Sequence, residues 1–207
     1  MNKWHILPGM GASSAMYNAL RHKLDFDVNF INWPLYHGEK TYGDVAERVI
    51  RDNSIQNGDV VGGSSLGGMI ALEIGKLIQP KALILMGSAV NSEEVQSLLA
   101  MLAPLAVITP ISVVQLLAGK QKNLVSTMFA DADSEFIRAM CSYLPSWLGY
   151  SGKMDIVNRL HGKQDHIIHC PAVGATIVEN AGHLVAMTHV NETAAFLAGM
   201  RSKILLG

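Results

Sequence analysis

Charge is scarce in this 207-residue chain. Asp, Glu, Lys and Arg make up 16% of it and hydrophobic residues 49%, whereas charged residues form about 25% of an average soluble domain. Such a composition excludes disorder and points to a well-buried core under a sparsely charged surface. Neither sign is in excess, since 16 Lys+Arg face 17 Asp+Glu for a net charge of −1. Without a basic surplus to neutralise phosphates, no nucleic-acid partner is expected. Cysteine is nearly absent. Cys141 and Cys170 have no C-x-x-C neighbours, so a disulfide framework is excluded and reduced thiols are expected. The apolar start, Trp4-His5-Ile6-Leu7, is too short for a signal-peptide core and no small-residue cleavage site follows it, which makes the cytoplasm the expected location. One uncharged run is long. Val95 to Gly119 carries no charge, and Leu98–Ala118 is long enough to cross a bilayer. Pro104 and Pro110 divide it, each removing a helix donor, so short buried or lid helices are expected rather than a membrane span.

What is present alternates. Short apolar runs at Trp4–Leu7, Val28–Trp33, Asp59–Gly62, Ala82–Met86, Ile156–Leu160 and Ala175–Val178 read as strands. Most are near-continuous, as strands covered on both faces should be. Asn158 and Arg159 interrupt the fifth. Helix-like stretches lie between them: Ser13/Ser14 to Leu24, Thr41 to Asn53 with Thr41 and Asp44 in a capping-box relation, Leu66 to Ile78, and Asn191 to Met200 with Asn191 as cap. Strand and helix in alternation imply an α/β fold with a mostly parallel six-stranded sheet flanked by helices. The length fits one domain with a small insertion. The alternation fails only from Asn91 to Ser151, an apolar helical stretch. This divides the chain into a core of 1–90 and 152–207 and a helical cap, 91–151, over the strand C-terminal ends, where open α/β sheets bind ligands.

The chemistry begins at Gly63-Ser64-Ser65-Leu66-Gly67, a G-x-S-x-G that follows a predicted strand and opens a predicted helix. Only Ser65 takes the central place; Ser64 does not. A serine hydroxyl needs a base, and the base an orienting acid. Both follow downstream in the order Ser…Asp…His. Asp165 lies just past the fifth strand, in His161-Gly162-Lys163-Gln164-Asp165, and His183 just past the sixth, in Ala181-Gly182-His183. Asp155 precedes its strand and competes poorly as the acid, and His189 reads as a helix-start or surface residue. Glycines in Leu7-Pro8-Gly9-Met10-Gly11 leave room for a backbone N–H to face a reacting carbonyl, making the N–H groups of Met10 and Leu66 the candidate oxyanion donors.

These four segments resemble the α/β-hydrolase superfamily, particularly its small, lidded, esterase-like members, over nearly the whole chain. The resemblance implies Ser65 as nucleophile, His183 as base, Asp165 as orienting acid, Met10 and Leu66 as oxyanion donors, and 91–151 as lid. It implies a carboxylic ester hydrolase acting on small acyl substrates through an acyl-enzyme, without metal or organic cofactor. The chain departs from the family pattern in carrying Pro8-Gly9 where His-Gly is usual, in lacking the first antiparallel strands, and in lacking the proline often found shortly after the acid, where His169 stands instead. Other chemistries on the same triad (lyase, synthase or acyltransferase) and a ligand-binding protein on the same fold stay open.

Two further motifs are weaker. Gly9-Met10-Gly11-Ala12-Ser13-Ser14 approaches a dinucleotide fingerprint, but its last glycine is a serine and the second strand ends without the acidic residue. His161, Asp165, His166 and His169 cluster in sequence, yet no H-E-x-x-H or cysteine pair accompanies them, and the histidines read as polar loop residues.

Overall fold

The computed structural model of the protein describes residues 2–95 and 124–206. Among these, six strands form one sheet: β1 (Trp4–Leu7), β2 (Asn29–Phe30), β3 (Val60–Ser64), β4 (Ala82–Met86), β5 (Val157–Gly162) and β6 (Thr176–Val178). Their spatial order is β2-β1-β3-β4-β5-β6 and every pairing is parallel. β1, β3 and β4 are buried along their whole length, which explains why they carry apolar runs rather than an alternating pattern.

Alternation instead sorts side chains between the two faces. Leu7, Val61, Leu83 and Leu85 share one core with α2 (Tyr42–Asn53) and α3 (Leu66–Leu77). Ile6, Val60, Ile84 and Met86 share the other with Tyr17, with Leu20 of α1 (Asn18–Arg21), and with residues of the two C-terminal helices. Thr41 caps α2 through the expected capping box: its hydroxyl accepts from Asp44 N–H at 3.1 Å, and the Asp44 carboxylate accepts from Thr41 N–H at 3.1 Å.

Several expected boundaries shift for physical reasons. The stretch Val28–Trp33 contributes only Asn29–Phe30, because β2 is an edge strand paired to β1 alone and Trp33 turns inward to donate its indole N–H to Gly9 O at 2.9 Å. Asp59 lies outside β3, where its carboxylate accepts from the N–H groups of Lys3 and Gln56. Arg159 does not interrupt β5. It is buried and pairs with Glu94, with Nη1–Oε1 and Nη2–Oε2 distances of 3.0 and 2.7 Å. Asn191 lies inside its helix rather than capping it. The chain there forms α6 (Val185–Thr188) and α7 (Val190–Leu206), numbered after α4 (Leu124–Asp131) and α5 (Ser134–Tyr143), which lie between β4 and β5.

Those two helices belong to the stretch expected as a cap; Pro104, Pro110 and all of the uncharged run after Val95 lie outside the described residues. Asp133 caps α5 by accepting from the N–H groups of Glu135 and Phe136, and its other oxygen accepts from Tyr36 N–H at 2.8 Å. Phe136, Ile137, Met140 and Cys141 of α5 are buried in the same core as α2 and α3. Among the described residues no helix is long and apolar enough to cross a membrane.

The topology positions the site. From β1 the chain steps to one side for β2, then returns past β1 to place β3 on its other side. The C-terminal ends of β1 and β3 flank this reversal, the place where open α/β sheets bind ligands. Leu7 pairs with Gly63 across them, so the loop after β1 and the turn after β3 emerge side by side.

Candidate active site

Ser65 is the single residue between β3 and α3 and has φ 51°, ψ −120°. Such backbone costs about 1–3 kcal/mol and persists only where the surroundings over-determine it. They do so here. Ser65 N–H donates to Met86 O at 3.2 Å, and Ser65 O accepts from the buried Ser88 hydroxyl at 2.7 Å and from Gly68 N–H at 3.0 Å. The motif glycines permit the turn to be this tight: a Cβ on Gly63 would lie 2.4 Å from Gly67 C, and one on Gly67 2.4 Å from Pro8 O.

The two downstream residues converge on it from separate strand ends. His183 Nε2 lies 2.9 Å from Ser65 Oγ and His183 Nδ1 lies 2.8 Å from Asp165 Oδ2. With Asp165 accepting at Nδ1, the Nε2 lone pair faces the serine hydroxyl, the arrangement in which an imidazole can take its proton. Asp165 is buried, and its Oδ1 accepts from the N–H groups of Ile167 and Ile168 at 2.9 and 3.0 Å. Burial alone would push this carboxyl up. The hydrogen bonds from His161, His183 and Ile168, with the attraction of His183, outweigh it and hold the carboxyl well below the ordinary aspartate value. The acid and histidine loops interlock through Gln164 N–H to Ala181 O at 2.9 Å. Gly162 permits this, since a Cβ there would sit 2.4 Å from both Ala181 O and Gly182 O.

Gly9, Met10 and Gly11 follow β1. Gly9 is anchored by its N–H to the Met16 sulfur at 3.4 Å and by its carbonyl to Trp33. Neither Met10 N–H nor Leu66 N–H is bound to a carbonyl among the described residues. Helix α4 approaches here: a Cβ on Gly11 would lie 2.6 Å from the Phe129 ring. Cys141 of α5 points its thiol at the Met10 sulfur at 3.7 Å, and burial pushes that thiol up to about 11 despite Arg138.

A family model described as the alpha/beta hydrolase family matches residues 6–196, from β1 into α7. The chain belongs to this family. Hydrolase is therefore the class of activity that membership supports. No curated protein matches the chain. Among solved structures, this alpha/beta hydrolase is similar in fold to a thermophilic esterase from Thermogutta terrifontis, with TM-score 0.74 and 14% identity over 99% of this chain and 90% of the other. It is similar to a hydrolase from Pseudomonas aeruginosa PA01, with TM-score 0.74 and 13% identity over 96% and 89%. It is also similar to the N-acyl homoserine lactonase AidH, with TM-score 0.68 and 19% identity over 98% and 89%.

The hydrolase carries supporting residues that the sequence did not single out. Tyr17 is fully buried, and its hydroxyl hydrogen-bonds Leu7 O at 2.7 Å and Ser64 Oγ at 2.8 Å, joining the end of β1 to the residue before Ser65. Burial pushes the phenol up, so it stays a donor. The sequence cluster of histidines divides. His166 and His169 are exposed, whereas His161 is a buried strand residue beside Asp165 and not a loop residue.

Proposed function

We propose that the protein is a carboxylic ester hydrolase that works through Ser65, His183 and Asp165. The observation that carries this reading is the hydrogen-bonded chain Ser65 Oγ–His183 Nε2, His183 Nδ1–Asp165 Oδ2, at 2.9 and 2.8 Å, assembled from the ends of three different strands. Such a chain activates a hydroxyl toward an acyl carbon. That the fold is shared with an esterase and with a lactonase, whose lactone is an internal ester, favours the same bond type here.

Ser65 Oγ attacks the ester carbonyl while His183 Nε2 accepts its proton. Asp165 keeps Nδ1 protonated and faces the imidazolium that forms. The carbonyl oxygen becomes an oxyanion between the N–H groups of Met10 and Leu66, the latter at the N-terminus of α3. His183 then protonates the departing alkoxide, leaving the acyl group on Ser65. In the second half a water gives its proton to His183 and its oxygen to the acyl carbon, and Ser65 leaves with the proton returned. Residues 91–151 act as the lid. The approach of Phe129 to Gly11 and of Cys141 to Met10 supports an apolar acyl group lying against α4 and α5.

The test is a panel of p-nitrophenyl esters of increasing chain length with a serine-directed fluorophosphonate probe, applied to wild type and Ser65→Ala. Wild type should hydrolyse esters and take the label; the variant should do neither. Ester hydrolysis at the wild-type rate by Ser65→Ala would end this reading.

A further inference from the structure

We propose that His161 is a positioning residue for Asp165: it holds the 165–168 turn closed around the carboxylate and steadies Oδ2 toward His183. This deepens the proposed function and rests on Asp165 orienting His183. His161 has no solvent exposure. Its Nε2 lies 2.8 Å from Ile168 O and 3.2 Å from Asp165 Oδ2. A carbonyl only accepts, so Nε2 carries the proton. That N–H is given to Ile168 O, and Asp165 Oδ2 lies beside it at 3.2 Å. The Nδ1 atom has no partner among the described residues, and a lone pair left there costs less than an N–H without an acceptor.

The turn is thus pegged from both sides. Ile167 and Ile168 give their N–H groups to Oδ1, and His161 takes the Ile168 carbonyl. Oδ2 sits between two imidazoles, His183 Nδ1 at 2.8 Å and His161 Nε2 at 3.2 Å. If the His161 N–H is lost, Ile168 O is an unpaired buried acceptor, the turn is free to relax, and the carboxylate can rotate off the His183 axis. His183 contacts the reacting serine; His161 acts only through Asp165.

The experiment compares His161→Phe, His161→Asn and His161→Gln with wild type and Ser65→Ala. A glutamine amide nitrogen extends as far as Nε2, whereas that of asparagine ends near the place of Nδ1. Phe and Asn should lower kcat about tenfold, by a similar factor for every ester hydrolysed, with KM moving less than about twofold. Gln should recover most of the loss. In proton NMR the low-field resonance of the His183–Asp165 hydrogen bond should be kept by wild type and Gln, and shifted or broadened in Phe and Asn. Should Phe not fold, Asn against Gln makes the same comparison. Wild-type kcat in Asn, or a loss in Gln equal to that in Asn, would overturn the proposal while an inactive Ser65→Ala leaves the triad standing. An active Ser65→Ala would overturn both.

Discussion

Ser65, His183 and Asp165 are joined in one hydrogen-bonded chain, and under the proposed function their substitutions should not add. Ser65→Ala and Asp165→Asn are each expected to lower kcat by orders of magnitude, with the double variant no slower than Ser65→Ala; kcat measured on one ester for all three checks this. Asp165 also links the site to acid stability. Its carboxyl is held below the ordinary value of 3.8, so its ionised form stabilises the fold fully above about pH 4, and that contribution is lost as pH falls toward the folded-state value. Urea unfolding of wild type should therefore weaken below about pH 4 more steeply than that of Asp165→Asn. Tyr17 offers a contrast: Tyr17→Phe keeps the ring but removes the bridge from Leu7 O to Ser64 Oγ, and should cost about 0.5–1.5 kcal/mol in urea unfolding. That Ser65, His183 and Asp165 meet in one hydrogen-bonded chain was legible because each stands just past a strand end in a motif whose spacing has a mechanical reason. Tyr17 and His161 were not. Tyr17 bridges Leu7 O and Ser64 Oγ, the latter 47 residues away, and His161 meets Ile168 O only once the loop turns back to it.

Among the elements, those with local causes were read most closely. Thr41 and Asp44 mark the start of α2 because the capping box is made within four residues. β1 and β4 match their apolar runs because both are covered on each face. Boundaries failed where a distant partner decides them. Arg159 looks like a break in β5 until Glu94, 65 residues away, supplies its counter-charge, and β2 shortens because Trp33 is drawn to Gly9 O. The Arg159 pair ties the chain just past β4 to β5, with a further bond from Nη2 to Ser88 O at 3.0 Å. Arg159→Met removes one partner and leaves Glu94 with its charge. Breaking a buried pair this way costs about 3–5 kcal/mol, and the partial exposure of Glu94 places the expected loss at the lower end of that range. Adding Glu94→Gln to Arg159→Met should recover part of the stability, which a double-mutant cycle by urea unfolding measures directly.

At the scale of the whole molecule, the place of the candidate site follows from topology, since the strand order reverses between β1 and β3, and the parallel order was legible from the alternation of strands and helices. The break in the alternation of strands and helices was legible, but where α4 and α5 attach was not, because that depends on which surfaces the two helices meet. α5 sends Phe136, Ile137 and Met140 into the core shared with α2 and α3, while α4 brings Phe129 over Gly11. The two helices should therefore respond differently to the same truncation. Phe136 is buried and its ring lies 5.2 Å from that of Trp33, so Phe136→Ala should cost about 3–5 kcal/mol of stability through the cavity it leaves. Phe129 is only partly buried, beside the proposed oxyanion loop. Phe129→Ala should disturb folding much less and instead change how acyl groups are held. If α4 covers the acyl chain, kcat/KM for long-chain esters should fall relative to acetate while kcat for acetate stays near wild type. The measurement is a chain-length series of p-nitrophenyl esters on both variants, with urea unfolding alongside. Equal losses for short and long chains in Phe129→Ala would remove α4 from substrate binding and leave it a packing element like α5.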